Sequence, residues 1–143
     1  MKFEDCWKEQ TLEHLENHIW PKANDNLSRL EITCNALRKR PLKDFTVEEL
    51  RVMISQNLGL QYLMPLAIEI LREDIMAEGD FYEGDLLKCV LTSDKTYWIQ
   101  QKDQRDLICN LFEKNRIIIE EFDTTIEIKK ELFDSFELFK NIG

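Results

Sequence analysis

Residues 46–71 have the sequence TVEELRVMISQNLGLQYLMPLAIEIL, and this stretch decides the fold class. Its start fits a capping box, in which the Thr46 side chain accepts a hydrogen bond from the Glu49 amide while the Glu49 carboxylate accepts one from the Thr46 amide. Gly59 stands where a left-handed C-cap belongs. Apolar residues between these signals share one helix face, namely Val47, Leu50, Ile54 and Leu58, with Met53 beside them. The pattern predicts an amphipathic helix.

The run from Leu60 to Leu71 is apolar nearly all round. A helix of that kind is buried on most sides, so we expect it at the centre of the domain. Pro65 is expected in its first turn, where the missing amide costs little, or alternatively at a kink.

Helical spacing continues on both sides of this stretch. Before it, one face is formed by Leu12, Leu15 and Ile19, and a second by Leu27, Leu30, Cys34 and Leu37, with Ser28 or Asn26 as the N-cap. After it, Asp85 is expected to cap a helix through Leu91, and further stripes occur at 107–112 and 128–139. The sequence predicts a mainly α fold, a compact helical bundle in which residues 1–143 form a single domain.

Residues 116–128 fit two structures. Ile117, Ile118 and Ile119 favour a strand, for which 124–128 would supply a hairpin partner. A two-stranded hairpin is marginal alone, so we expect helix here and keep a short hairpin near 116–128 as the alternative.

Composition narrows the class of function. The 143 residues include 19 Lys and Arg against 28 Asp and Glu, a formal net charge of −9. A phosphate-coated nucleic acid is therefore an unexpected ligand, and a basic protein is a more natural partner. The N-terminal residues are charged and no window is apolar enough to span a membrane, so a cytoplasmic protein without membrane contact is expected.

No catalytic constellation is complete in the sequence, so we expect no enzyme activity, no cofactor and no metal. His14 and His18 are four residues apart, but Leu15 stands where a zincin motif needs Glu. We therefore expect both histidines on a solvated face. The four cysteines are far apart and form no CxxC pair.

Residues 69–85 form the most acidic segment of the chain. The segment contains seven carboxylates and only one cation, Arg72, so it contributes −6 of the total net charge of −9. This segment is our first candidate contact surface, and Phe81 and Tyr82 within it are the best aromatic anchors. The candidate binding residues are Glu69, Glu73, Asp74, Glu78, Asp80, Tyr82 and Glu83. The alternative is that Asp80 and Asp85 are helix caps and the other carboxylates are merely solvated.

Two further charged clusters are present. Glu120, Glu121, Asp123 and Glu127 form a second candidate acidic surface. Arg38, Lys39 and Arg40 with Lys43 are too short a patch for nucleic acid, and we expect them to cap a helix end and to balance the acidic segment.

The middle of the chain resembles the immunity proteins of bacterial contact-dependent growth inhibition systems over about residues 15–98. The motifs that carry the resemblance are residues 37–42, 45–51, 54–56, 59–67 and 79–87, with Trp98 beyond them. They are mostly apolar residues, Gly and Pro, which indicates a scaffold rather than the contacts themselves. The region after residue 100 carries little of the resemblance.

The resemblance implies a small cytoplasmic protein that binds and blocks the C-terminal toxin domain of a cognate surface-delivered effector. Such toxins are often nucleases, which would supply the basic partner that the charge predicts, and the immunity protein itself has no catalytic residues. The alternative function is an acidic helical adaptor or regulator that binds another basic protein. Both functions need only a helical scaffold and an acidic face.

Overall fold

The computed structural model describes residues 6–21 and 27–142. The predicted capping box is present at the start of the helix Val47–Ser55. The Thr46 hydroxyl accepts a hydrogen bond from the Glu49 amide at 3.1 Å, and the Glu49 carboxylate accepts one from the Thr46 amide at 3.0 Å. A second capping box joins Ser28 and Glu31 and confirms Ser28 as a cap; Asn26 lies outside the described residues.

Within the described ranges the chain forms nine α-helices, and short 3-10 helices occur at Trp7–Glu9 and Leu42–Asp44. The α-helices are α1 Leu12–Glu16, α2 Arg29–Leu37, α3 Val47–Ser55, α4 Leu60–Glu73, α5 Asp85–Leu91, α6 Lys95–Gln100, α7 Lys102–Lys114, α8 Arg116–Glu121 and α9 Ile126–Lys140. The mainly α prediction is confirmed.

Helix α4 contributes seven buried side chains and packs with α3 and α5, and α5 also packs on α9. Aromatic rings close the other side of the core. Phe112 of α7 stacks on Phe136 of α9 with centroids 3.9 Å apart, and Trp98 meets Phe139 edge-on at 4.9 Å. The indole of Trp98 is fully buried and donates to the Ser93 hydroxyl at 2.8 Å.

Three local predictions are wrong in detail. Helix α1 ends at Glu16 because Asn17 takes a left-handed conformation, which leaves Ile19 exposed. Pro65 is the sixth residue of α4, not part of its first turn. Gly59 is left-handed as expected, at φ 61°, but it caps the start of α4 because α3 already ends at Ser55.

The hairpin alternative for residues 116–128 is not formed. Helix α8 buries Ile119 and leaves Ile117 and Ile118 exposed, a pattern that a strand would not produce. Phe122 then has extended backbone, and the Thr125 hydroxyl accepts from the Ile128 amide to begin α9. The preference for helix is confirmed.

Candidate protein-binding surface

The predicted acidic segment connects α4 to α5. Glu69 and Glu73 lie on the last turns of α4, and Asp74 is its C-cap. The remaining candidates, Glu78, Asp80, Tyr82 and Glu83, lie together in residues 78–83, which we call the acidic turn. The structure therefore brings four of the seven predicted residues into one short loop.

Backbone hydrogen bonds join the two ends of the acidic turn. Ile75, Met76 and Ala77 lead into it and are buried in the core. The Gly84 amide donates to the Met76 carbonyl at 3.1 Å, and Glu78 and Glu83 form an antiparallel bridge. These contacts give the turn a fixed position relative to α4 and α5.

Asp85 holds the turn from inside. Its carboxylate accepts hydrogen bonds from the amides of Gly79 at 2.7 Å, Phe81 at 3.1 Å and Tyr82 at 3.4 Å. The side chain is only 2 % exposed, so Asp85 is not part of the acidic surface. It also does not cap α5, whose N-cap is Gly84, because its carboxylate is occupied by the turn amides.

Helix α3 supports the turn through a partly buried ion pair. Arg51 donates to Glu48 through Nε at 2.6 Å and Nη2 at 2.5 Å, and its Nε lies 3.9 Å from Asp85 Oδ2. Glu48 Oε1 in turn accepts from the Asp80 amide at 2.9 Å. The hydrogen bond from Arg51 is the main reason that the pKa of Glu48 lies below its ordinary value.

Gly79 is the point where the two supporting carboxylates come closest to the backbone of the turn. A Cβ atom at this position would lie 2.6 Å from Glu48 Oε1 and 3.0 Å from Asp85 Oδ2. Each of these two oxygens already accepts a hydrogen bond from a turn amide, Glu48 Oε1 from Asp80 and Asp85 Oδ2 from Phe81, so moving either one would weaken that bond. The turn therefore needs glycine here because of space.

Phe81 forms the tip of the acidic turn. Its side chain is 70 % exposed, and the guanidinium carbon of Arg51 lies 4.2 Å from its ring centroid. Tyr82 is half-buried, and burial, followed by the charge of Glu131, raises the pKa of its phenol. An exposed aromatic ring held in place at the surface is a suitable anchor for a protein contact.

The candidate carboxylates differ in what they already bind. Glu69 pairs with Lys8 at 3.0 Å, and the Asp74 carboxylate accepts from the Met76 amide at 3.1 Å. The exposed side chains of Glu73, Glu78, Asp80 and Glu83 form no ion pair or hydrogen bond with the residues that the structure describes. These four are therefore available to an incoming partner, and Asp80 does not cap a helix.

The basic cluster does not balance the acidic segment. Arg38 is buried, pairs with Glu16 and donates to the His18 carbonyl at 2.7 Å. Lys39 pairs with Glu13 at 2.7 Å, and Arg40 pairs with Glu49. These cations join α2 to α1 and α3, so the negative field of the acidic turn is left uncompensated by them.

The other polar groups that the sequence singles out are not assembled into a site. His14 and His18 are exposed, as expected. Across residues 6–21 and 27–142, no group of three His, Cys, Asp or Glu side chains is placed to hold a metal ion. The four cysteines are free thiols, and burial raises the pKa of Cys34. No helix in the described part of the chain is long and apolar enough to cross a membrane.

A family model described as CDI immunity proteins, where CDI denotes contact-dependent growth inhibition, matches residues 14–108. The chain belongs to this family. The match confirms the resemblance and runs from within α1 through α6 to the middle of α7, so it contains the acidic turn of this immunity protein and its supports on α3. None of the curated proteins matches the chain.

The sequence predicts the acidic turn of this immunity protein as a contact surface, but it does not predict the residues that support the turn. Glu48 and Arg51 belong to one motif of the resemblance, and Gly79 and Asp85 to another. The structure joins the two motifs in a single hydrogen-bonded unit. The separation of three residues between Glu48 and Arg51 was the available signal, since it places both on one helix face.

Proposed function

We propose that this immunity protein neutralises its cognate toxin domain by binding it, without turnover, through the acidic turn. The observation that carries the proposal is the fixed geometry of the turn. Asp85 and Glu48 hold four of its amides from inside, while Phe81 and the available carboxylates face outward. A surface that is ordered before binding loses little conformational entropy when a partner arrives.

The charge of this surface supports a basic partner. The protein has a net charge of −9, and three of the four available carboxylates, Glu78, Asp80 and Glu83, lie in the turn. A nuclease must hold a polyanionic substrate, so its active cleft is basic. We therefore assign the toxin to the nuclease class. Opposite charge also speeds capture, which protects the producing cell before an incoming toxin has acted on its substrate in the cytoplasm.

Phe81 supplies the apolar part of the contact. Exposed aromatic rings near the centre of an interface often carry a large share of the binding free energy. The guanidinium of Arg51 lies against one side of the ring and limits its motion, while the rest of the side chain is exposed. We expect this ring to enter a pocket of the toxin, with Glu78 and Glu83 beside it.

The proposal is tested with the toxin domain encoded directly upstream of this chain's gene. The purified toxin domain is mixed with this protein, and complex formation, toxin activity and survival of cells that express the toxin are measured. Tight binding, loss of toxin activity and survival support the proposal. No binding and no protection would contradict it and would leave the adaptor function as the better description.

A triple charge reversal locates the surface. Glu78→Lys, Asp80→Lys and Glu83→Lys change exposed side chains of the acidic turn, so the fold is expected to remain intact. Binding should weaken by about a hundredfold or more, mostly through slower association. Unchanged affinity would place the contact elsewhere.

The matched control reverses three exposed carboxylates that lie far from the turn in sequence. Glu9→Lys, Asp103→Lys and Asp106→Lys alter the net charge by the same amount. If the acidic turn is the contact, this control changes association only by the weaker effect of total charge. Equal losses in both variants would show that net charge, not the turn, determines binding.

A further inference from the structure

Helices α8 and α9 expose an apolar face at their junction. Ile117, Ile118 and Ile126 are 65 %, 54 % and 81 % exposed, while Ile119 between them is buried. Burial of Ile119 fixes the orientation of α8, which turns the other two isoleucines outward. We call the three exposed isoleucines the isoleucine face. Three exposed isoleucines within residues 117–126 are more than the scattered single apolar side chains of an ordinary surface, and such a concentration usually marks a contact with another molecule.

The chain between and beside these isoleucines is rich in carboxylates. Glu120, Glu121, Asp123 and Glu127 are exposed, and residues 117–128 contain no Lys or Arg. The flanking cations have other partners in the described structure: Arg116 binds Glu113 at 2.9 Å, Lys129 donates to the Glu120 carbonyl at 2.8 Å, and Lys130 pairs with Asp134 at 2.8 Å.

The negative charge beside the isoleucine face distinguishes between the possible binding partners. A second copy of the chain would bring the same carboxylates together, and like charges in a contact are unfavourable. A partner with basic side chains around an apolar patch is complementary at both the centre and the rim. The face therefore fits a basic protein, not a homodimer.

Helix α9, which begins at the isoleucine face, reaches the base of the acidic turn further along its length. Leu132 of α9 lies against Gly84 at the base of the turn, where a Cβ on Gly84 would be 3.3 Å from Leu132 Cδ1. Its neighbour Glu131 pairs with Lys88 of α5 at 3.2 Å, and after burial its charge is the next cause of the raised pKa of the Tyr82 phenol. Glu127 precedes Glu131 by one helical turn, about 6 Å along the axis. The carboxylates thus continue from the turn onto the start of α9.

We infer that the isoleucine face is the second half of the toxin-binding surface and docks on an apolar patch of the toxin that is rimmed by Lys and Arg. This inference rests on the proposed function. It extends the contact beyond residues 14–108, the part that matches the family model, into α8 and α9. The two halves act on different rates. Carboxylates steer association, while buried apolar contacts mainly slow dissociation.

The test replaces the isoleucine face and measures both rate constants. Ile117→Ser, Ile118→Ser and Ile126→Ser remove exposed apolar groups with little change in helix propensity. The dissociation rate of the upstream-encoded toxin domain should rise about tenfold or more, while the association rate stays within about threefold. A general loss of structure would not raise the dissociation rate while leaving the association rate nearly unchanged. Urea denaturation of the variant checks the fold directly, and an unchanged free energy of unfolding is expected.

The matched control changes three isoleucines on other parts of the surface. Ile19→Ser, Ile32→Ser and Ile99→Ser alter side chains that are 71 %, 47 % and 51 % exposed. We expect wild-type rates for this control.

Two outcomes would overturn the inference while the proposed function stands: tight wild-type binding with wild-type dissociation of the isoleucine variant, or dimerisation of the free protein that this variant abolishes. No binding by the wild type would contradict the proposed function itself.

Discussion

Asp85 is the residue on which the shape of the acidic turn depends most directly. Replacing it by alanine removes the acceptor for three backbone amides and takes a carboxylate away from the buried Arg51. Because buried donors would lose their partners, we expect Asp85→Ala to lower the free energy of unfolding by about 2–4 kcal/mol. Urea denaturation measures this change.

Asp106→Ala is the control for Asp85, because Asp106 is exposed on α7 and accepts no hydrogen bond from the described residues. Its effect should stay within about 0.5 kcal/mol. If Asp85→Ala were equally mild, the turn would have to be held by its other contacts, and the support assigned to this carboxylate would be wrong.

At the level of single residues, the sequence identifies the acidic surface but not its supports. Charge is visible directly in the sequence, so Glu78, Asp80 and Glu83 could be predicted as surface groups. The hydrogen bond from the Asp80 amide to Glu48 spans 32 residues. No local pattern contains such a pairing, and for the same reason Asp85 was predicted as a helix cap.

Helix α3 is the element that connects the core to the acidic turn, and its first turn depends on the Thr46 capping box. Thr46→Ala removes the acceptor for the Glu49 amide. We expect a loss of about 1 kcal/mol in the free energy of unfolding, measured by urea denaturation. Thr96→Ala on α6 is the control, since the Asp94 carboxylate, not the Thr96 hydroxyl, caps that helix. A loss no larger than that of the control would contradict the assigned cap.

The Glu48–Arg51 ion pair on α3 predicts a dependence on pH. The hydrogen bond from Arg51 lowers the pKa of Glu48 below its ordinary 4.5. A lowered pKa in the folded state contributes stability above the ordinary value, and this contribution disappears as pH falls through the lowered pKa. The advantage of wild type over Glu48→Gln in free energy of unfolding should therefore be constant above about pH 5.5 and shrink toward about pH 3.

Urea denaturation of wild type and Glu48→Gln at each pH measures this advantage. Glu127→Gln serves as the control, because the Glu127 side chain is exposed and forms no hydrogen bond or ion pair with the described residues. An advantage that persists unchanged below about pH 3 would show that the charge of Glu48 is not what stabilises the fold.

At the level of elements, a helix could be predicted where its cap or its apolar stripe lies within its own sequence. The caps at Ser28 and Thr46 and the stripe of α9 are local, so α2, α3 and α9 could be predicted. Helix α1 is shorter than its apolar spacing suggests because Asn17 ends it, and Pro65 is tolerated within α4, whose packing outweighs a missing amide. Residues 116–128 depend on the core position of Ile119, which only the tertiary structure decides.

The whole molecule has a net charge of −9, and Arg38, Lys39 and Arg40 of the basic cluster are engaged in ion pairs at α1 and α3. If the uncompensated acidic turn steers capture, the association rate with the toxin domain should fall about tenfold or more as ionic strength rises from about 0.05 M to about 0.5 M. Dissociation should change much less. Stopped-flow mixing measures both rates, and association that is insensitive to salt would contradict electrostatic steering.

At the scale of the molecule, the family and the mainly α fold could be predicted because their signals are distributed along the chain. The contact surface could be predicted only in part. Two separate acidic clusters are visible in the sequence, but the packing of α9 against the base of the turn at Leu132 is not. Sequence spacing carries no information about that packing.

Hydrogen–deuterium exchange with and without the toxin domain tests the central claim most directly, because it locates the contact without altering the protein. We predict slower exchange in residues 78–83 and in residues 117–130 when toxin is bound, with little change in α2. Protection confined to other segments, with both of these regions exchanging as in the free protein, would contradict the account.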